Sequence, residues 1–291
     1  MIYEVSHRTV YDYSVPVSIS HHLLHLAPRD SAFQTCRDTA VEISPPPSVR
    51  APGVDYFGNP TTFVTIQQSH RELVLHALSI IEVSERHVPD PAATPPWEAV
   101  RERTLQDRSP EALQALEFTF ASPYVALPAE LRTYALASFT SGRPILAAAR
   151  ELTHRIFKDF KYDPRATTVR TGVAESFAMR RGDCQDFAHI QIACLRALGL
   201  PARYVSGYLL TRPPAGKERL VGADASHAWL AVWIPGYDWV DLDPTNDLIP
   251  GREHITVGWG RDYGDVSPVS GVMFGGGEHD VSVSVDVVAV G

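Results

Sequence analysis

One stretch constrains this chain more than any other: Gly182-Asp183-Cys184-Gln185-Asp186-Phe187 and the apolar run behind it. Phe187, Ile190, Cys194, Leu195 and Leu198 keep helical spacing, and Leu198-Gly199-Leu200-Pro201 supplies a Gly terminator and a Pro that cannot continue a helix. The pattern predicts a helix starting at or near Cys184. Unpaired N–H groups and the positive end of the helix dipole at such a start favour a thiolate over a thiol. Cys184 is therefore the first candidate nucleophile. Asp183 and Asp186 flank it, and nearby carboxylates work in the opposite direction, so activation requires a cationic partner.

A thiolate nucleophile needs a base to take its proton and a third group to orient that base. Residues 226–245 offer both, as two alternating strands joined at Pro235-Gly236-Tyr237. His227, Trp229, Ala231 and Trp233 share one face of the first strand; Trp239, Asp241 and Asp243 share one face of the second. A turn centred at Pro235 puts Asp243 directly across from His227. A shift of register by two residues puts Asp241 or Thr245 there and leaves Asp243 as a diagonal neighbour. Every same-face register sets a carboxylate beside His227. Cys194 lies on the apolar helix face and reads as inert core.

The remainder of the chain frames this segment. Tyr3, Val5, His7, Thr9, Tyr11 and Tyr13 alternate with polar residues, and strand-like runs follow near 38–44, 61–67 and 72–83. Residues 1–85 thus read as an antiparallel, sandwich-like β domain. Residues 86–130 read as a Pro-rich structured linker, because Trp97, Leu113, Leu116 and Phe118 require burial. From 131 to 291 helices come first, at 131–139, 144–157, 173–179 and from Cys184, and strands follow at 202–211, 226–234 and 239–243. That order describes an α+β core. Gly258-Trp259-Gly260-Arg261-Asp262-Tyr263-Gly264 lacks the context of a phosphate loop and reads as tight turns; alternating valines at 281, 283, 285 and 287 read as a half-buried strand that ties down the C-terminus, assigned with the core.

Charge and cysteine usage exclude several classes. With 26 Lys and Arg against 34 Asp and Glu the net charge is -8, so no sequence-independent attraction to nucleic acid or anionic membrane is expected. No apolar run approaches a membrane span and no leader is evident, which predicts a cytoplasmic protein. The 3 cysteines, Cys36, Cys184 and Cys194, form neither a disulfide framework nor a CxxC pair. His21, His22 and His25 lack the further ligands a metal site needs, so neither metal nor cofactor is expected.

The segments Gly182-Asp183-Cys184-Gln185-Asp186-Phe187-Ala188-His189, Leu195 to Tyr208, Ser226-His227-Ala228-Trp229 and Trp239-Val240-Asp241-Leu242-Asp243-Pro244-Thr245-Asn246 resemble the bacterial transglutaminase-like proteins, and the N-terminal β region resembles the domain preceding their core. The resemblance implies a papain-like core of helices packed on an antiparallel sheet. It carries Cys184 over as nucleophile, His227 as base and acid, and Asp243, the Asp immediately before Pro-Thr, as the orienting carboxylate. It also implies a protein or peptide substrate and acyl transfer, as hydrolysis or transamidation. Where animal transglutaminases have Trp after the catalytic Cys, this chain has Gln185, and no calcium-site carboxylate cluster is evident. Two other classes stay in view: a non-catalytic module that binds protein or peptide on the same scaffold, and a metallohydrolase built on the histidines.

Overall fold

A computed structural model describes residues 1–211 and 226–290. In chain order the elements are β1 (Ile2–Leu24), β2 (Gln34–Ser44), β3 (Val49–Val54), β4 (Pro60–Ile66), β5 (His70–Val83), α1 (Trp97–Gln106), α2 (Pro110–Glu117), α3 (Ala129–Leu136) and α4 (Ile145–Asp159). They continue with β6 (Lys161–Tyr162), α5 (Val173–Met179), β7 (Arg181–Gly182), α6 (Cys184–Ala197), β8 (Ala202–Leu209), β9 (Ser226–Ile234), β10 (Asp238–Leu242), β11 (His254–Gly260), β12 (Val269–Gly275) and β13 (His279–Ala289). The α+β class and the order of helices before core strands agree with the pattern read from the residues.

The N-terminal region is one seven-stranded antiparallel sheet organised on the long strand β1. Between Asp12 and Val17, where Pro16 interrupts the alternation, the register of β1 against β5 shifts. The first half of β1 lies between β5 and β13, and the second half between β4 and β12. This break lets the sheet fold over itself. Val64 and Ile66 of β4 join Val41 of β2 and Leu73, Leu75 and Ala77 of β5 in one buried cluster, so a single bent sheet makes the sandwich-like core. The strand β3 has no clear signal in the residues because Pro52 and Gly53 break its pattern, which an edge position tolerates.

The second sheet has the order β10-β9-β8-β11, all antiparallel. α6 packs on its inner face: Phe187, Ile190, Cys194 and Leu198 share a core with Ala228, Leu230, Val232 and Ile234 of β9. From Gln185 to Arg196 every residue of α6 is buried, as expected of a helix surrounded by protein on all sides. The structure corrects two expectations. Part of the Gly-rich stretch that reads as turns is strand, because β11 runs to Gly260 with a register shift between Thr256 and Gly258 that absorbs the glycine. The C-terminal valine strand, assigned by its place in the chain to the 131–291 core, pairs with β1 of the N-terminal sheet instead. Its residues Val285 and Val287 then bury against Tyr208, Ile255 and Val257 and join the two sheets.

Gly207 of β8 shows how tightly the second sheet is built. A Cβ there meets the Ile255 carbonyl and lies 2.5 Å from the Trp229 ring, neither of which is a flexible chain end. Gly207→Ala is expected to destabilise the fold by about 2–3 kcal/mol through overpacking. Chemical denaturation decides it, and a variant as stable as the parent contradicts the packing.

Candidate active site

Local sequence fixes where Cys184 sits. Asp183 is the N-cap of α6, and its Oδ1 accepts from the N–H groups of Gln185 (2.9 Å) and Asp186 (3.2 Å). Asp186 Oδ2 accepts in return from the Asp183 N–H at 3.0 Å and from the Thr167 hydroxyl at 2.6 Å. This capping box ties both flanking carboxylates to the helix start. Burial, followed by the neighbouring Asp186, raises the Asp183 carboxyl to about 6. Gly182 is part of the same device, since a Cβ there collides with the Asp186 carboxylate. Cys184 becomes the first helical residue, half-buried, with an N–H that has no partner among the described residues.

His227 enters from the start of β9 and is buried at the edge of the cleft. Its Nε2–H donates to Asp243 Oδ2 at 2.8 Å, which leaves Nδ1 as the nitrogen available to the Cys184 thiol on the cleft that both residues line. Burial alone would lower the imidazole, but the hydrogen bonds and charges of Asp243 and Cys184 outweigh it and raise His227 from 6.5 to about 10. The structure therefore brings together the three residues singled out in the sequence. The register differs by two residues from a turn centred at Pro235: Asp238 pairs with Ile234 and Leu242 with Leu230, with Gly236 at positive φ in the turn. Asp243 is the diagonal neighbour, beyond the end of β10, where it bridges Leu248.

The carboxylate of Asp243 is fully buried and saturated with donors. Oδ1 accepts the backbone N–H groups of Thr245 (2.9 Å) and Asn246 (3.2 Å). Oδ2 accepts from His227, from the Asn246 side chain at 2.8 Å and from His254 Nε2 at 3.1 Å. Burial opposes its charge, yet the hydrogen bonds from His227 and His254 hold the carboxyl well below 3.8. His227, Asp243 and His254 are also the one group of possible metal ligands among the described residues, with ligand atoms within 4.8 Å of one another. The donor set fits a metal poorly. A metal-bound histidine donates its other N–H to an acceptor, and the buried Nδ1 of His254 has none.

Asp241, the other carboxylate left open by the hairpin arithmetic, serves a different purpose. It pairs with the buried Arg86 and accepts the Trp229 indole N–H at 3.0 Å. Asp241→Ala strands the Arg86 charge, and we expect it to cost about 3–5 kcal/mol while leaving the Cys184–His227 pairing in place. Urea melts combined with thiol-labelling rates test both halves of that expectation.

A cleft of about 530 Å³ opens over Cys184 and His227. The core supplies Tyr162, Tyr204 and Tyr263, whereas the opposite wall is His7, Thr9 and Tyr11 of β1 with Val281 and Val283 of β13. The N-terminal sheet thus contributes one wall of the site, and no local pattern in the residues reveals that. His254 and Asn246 also escape a reading of the residues alone. The alternation of His254 and Thr256 with Ile255 and Val257 is the available signal for a strand carrying His254 toward the site.

An α+β core of helices packed on an antiparallel sheet, joined to a further antiparallel sheet, is the architecture of the transglutaminase-like cysteine protease fold. Residues 134–244 match the transglutaminase-like superfamily and residues 3–82 the bacterial transglutaminase-like N-terminal region, and the chain belongs to the bacterial transglutaminase-like family. An uncharacterised protein of Mycobacterium tuberculosis is 43% identical over 98% of this chain and 92% of its own length. The protein-glutamine gamma-glutamyltransferase of Pseudomonas aeruginosa is 34% identical over 36% of this chain and 17% of its own length. Among solved structures, a protein from Cytophaga hutchinsonii superposes with a TM-score of 0.78 at 19% identity, covering 99% of this chain and 90% of the other. Members of the family are typically enzymes. No helix among the described residues is long and apolar enough to cross a membrane.

Proposed function

We propose that this protein is a cysteine-dependent acyl-transfer enzyme acting on carboxamide or peptide bonds of protein or peptide substrates. The observation that carries the reading is the placement of Cys184 and His227 on one cleft, with the buried Asp243 carboxylate bonded to His227 behind it. Cys184 thiolate attacks the carbonyl carbon to form a tetrahedral oxyanion. The His227 imidazolium gives its proton to the departing amine, leaving a thioester. Water or a primary amine then attacks the thioester with His227 as base. The Cys184 N–H, unpaired among the described residues, is one donor to the oxyanion. Asp243 holds the Nε2–H tautomer so that Nδ1 meets sulfur.

Glutamine carboxamides are the first donors to test, because a protein-glutamine gamma-glutamyltransferase matches 36% of this chain at 34% identity. The Cytophaga protein, proposed to be a cysteine protease, makes water the competing acceptor. Intact-mass measurement after incubation with glutamine-containing peptides, with and without a primary amine, separates them. A Cys184-linked acyl adduct that passes to the amine marks transamidation, and one that passes to water alone marks hydrolysis. Absence of any adduct or product across a broad peptide panel defeats the reading and leaves the binding module standing.

A further inference from the structure

His254 stands on a strand that carries none of the three candidate residues, yet it touches the same carboxylate oxygen as His227. Its Nε2 lies 3.1 Å from Asp243 Oδ2, and its ring centroid is 5.9 Å from that of His227. The position is enforced from several sides. β11 sets His254 opposite Leu209, the Arg86 guanidinium donates to its backbone carbonyl at 3.2 Å, and the Trp229 ring meets it edge-on at 5.2 Å. Trp229 itself fits because Gly207 has no side chain beneath it.

We propose that His254 is a positioning residue, a neutral second imidazole whose Nε2–H fixes the ionised Asp243 behind His227. This inference rests on the reading of Cys184, His227 and Asp243 given above. The tautomer follows from geometry: Asp243 only accepts, so the proton between them is on His254 Nε2, and the buried Nδ1, which has no partner, is a bare acceptor. A protonated His254 would place a second cation beside His227 and within reach of Arg86. Burial, the largest influence, keeps its imidazole below the usual value, although the hydrogen bond to Asp243 works the other way. Neutral His254 then does two things. It removes the freedom of the carboxylate to turn away from His227, and it draws off part of the negative charge that His227 would otherwise feel.

The test uses iodoacetamide alkylation of Cys184 from about pH 5 to about pH 11, read by mass, together with acyl-transfer kinetics. His254→Gln keeps an N–H near the Nε2 position; His254→Phe keeps the ring volume without it. We expect the Gln variant to retain the parent pH profile. In the Phe variant the alkaline inflection rises by roughly half a unit or more, because Asp243 has lost a donor. Its kcat falls by about tenfold to a hundredfold with KM little changed, the equivalent of one hydrogen bond to a charged group. A folded Phe variant that matches the parent in both readouts overturns the proposal. Nitrogen-15 histidine NMR of the unaltered protein gives an independent decision, since an Nδ1–H tautomer at His254 also overturns it. His227→Ala separates the two levels: if its alkylation profile equals the parent's, the underlying catalytic reading fails, whereas dependence on His227 without dependence on His254 defeats only this inference.

Discussion

Cys184→Ala is expected to remove every covalent acyl adduct and to lower turnover by a factor on the order of 10^4 to 10^6, the scale seen when a nucleophile that works with its base as a unit is deleted. The fold should survive. Cys184 is half-buried at the edge of the core, and the helix start it occupies is held by Asp183 and Asp186, so the substitution costs about 1 kcal/mol or less. His227→Ala should fall nearly as far, and the double variant no further, because thiol and imidazole act in one step. Cys194→Ala serves as the control: that thiol is fully buried among apolar side chains, burial pushes its pKa up, and its loss affects stability and not chemistry. Single-turnover mass measurement with thermal melts covers all four variants. Activity that persists in Cys184→Ala and disappears with a chelator would move the chemistry to the His227, Asp243 and His254 cluster.

The parts of the site written in local sequence were legible, and the parts made by long-range pairing were not. The helical spacing of Phe187, Ile190, Cys194, Leu195 and Leu198 with its Gly-Pro stop predicts a helix from Cys184, and the helix begins there. Alternation in 226–243 announces the hairpin but leaves the register free by two residues. The turn settles it: Gly236 and Asp238 adopt positive φ, and the pairing starts at Ile234 and Asp238. The register moved Asp243 from the directly opposed position to a diagonal one, and the carboxylate still reached His227 because same-face neighbours stay within side-chain range. Nothing in residues 269–289 indicates that β12 and β13 return to β1, since a half-buried strand reads the same whichever sheet it joins. Consequently the wall that Val281 and Val283 give to the cleft, and the second imidazole on Asp243, emerge only from the fold.

Asp243→Asn should be the most damaging conservative change, and its effect should depend on pH in a defined direction. Five donors converge on the Asp243 carboxylate, three at Oδ2 and two at Oδ1. An amide presents one oxygen and one NH2, so either the two backbone N–H groups or the three side-chain donors face another donor. The His227 tautomer is then no longer held, and kcat should fall by about 10^3–10^4. Stability should fall by about 3 kcal/mol or more at neutral pH. In the parent, His227 stays protonated up to about 10 instead of 6.5, so its contribution is complete below 6.5 and is lost as pH rises toward 10. Asp243, held below 3.8, contributes above that value and loses its contribution on acidification. The amide abolishes the charge on which both contributions depend. Denaturant unfolding at several pH values, in a Cys184→Ala background so that the thiol does not titrate, should therefore show the widest stability gap between the chains with and without Asp243→Asn from about pH 5 to 6.5, where both contributions are present. The gap should narrow as pH rises above 6.5, ending below pH 10 because this background lacks the raising influence of Cys184 on His227, and narrow again under strong acid. A gap that stays constant across the range would mean that Asp243 holds the fold by packing alone and does not hold His227 as a cation.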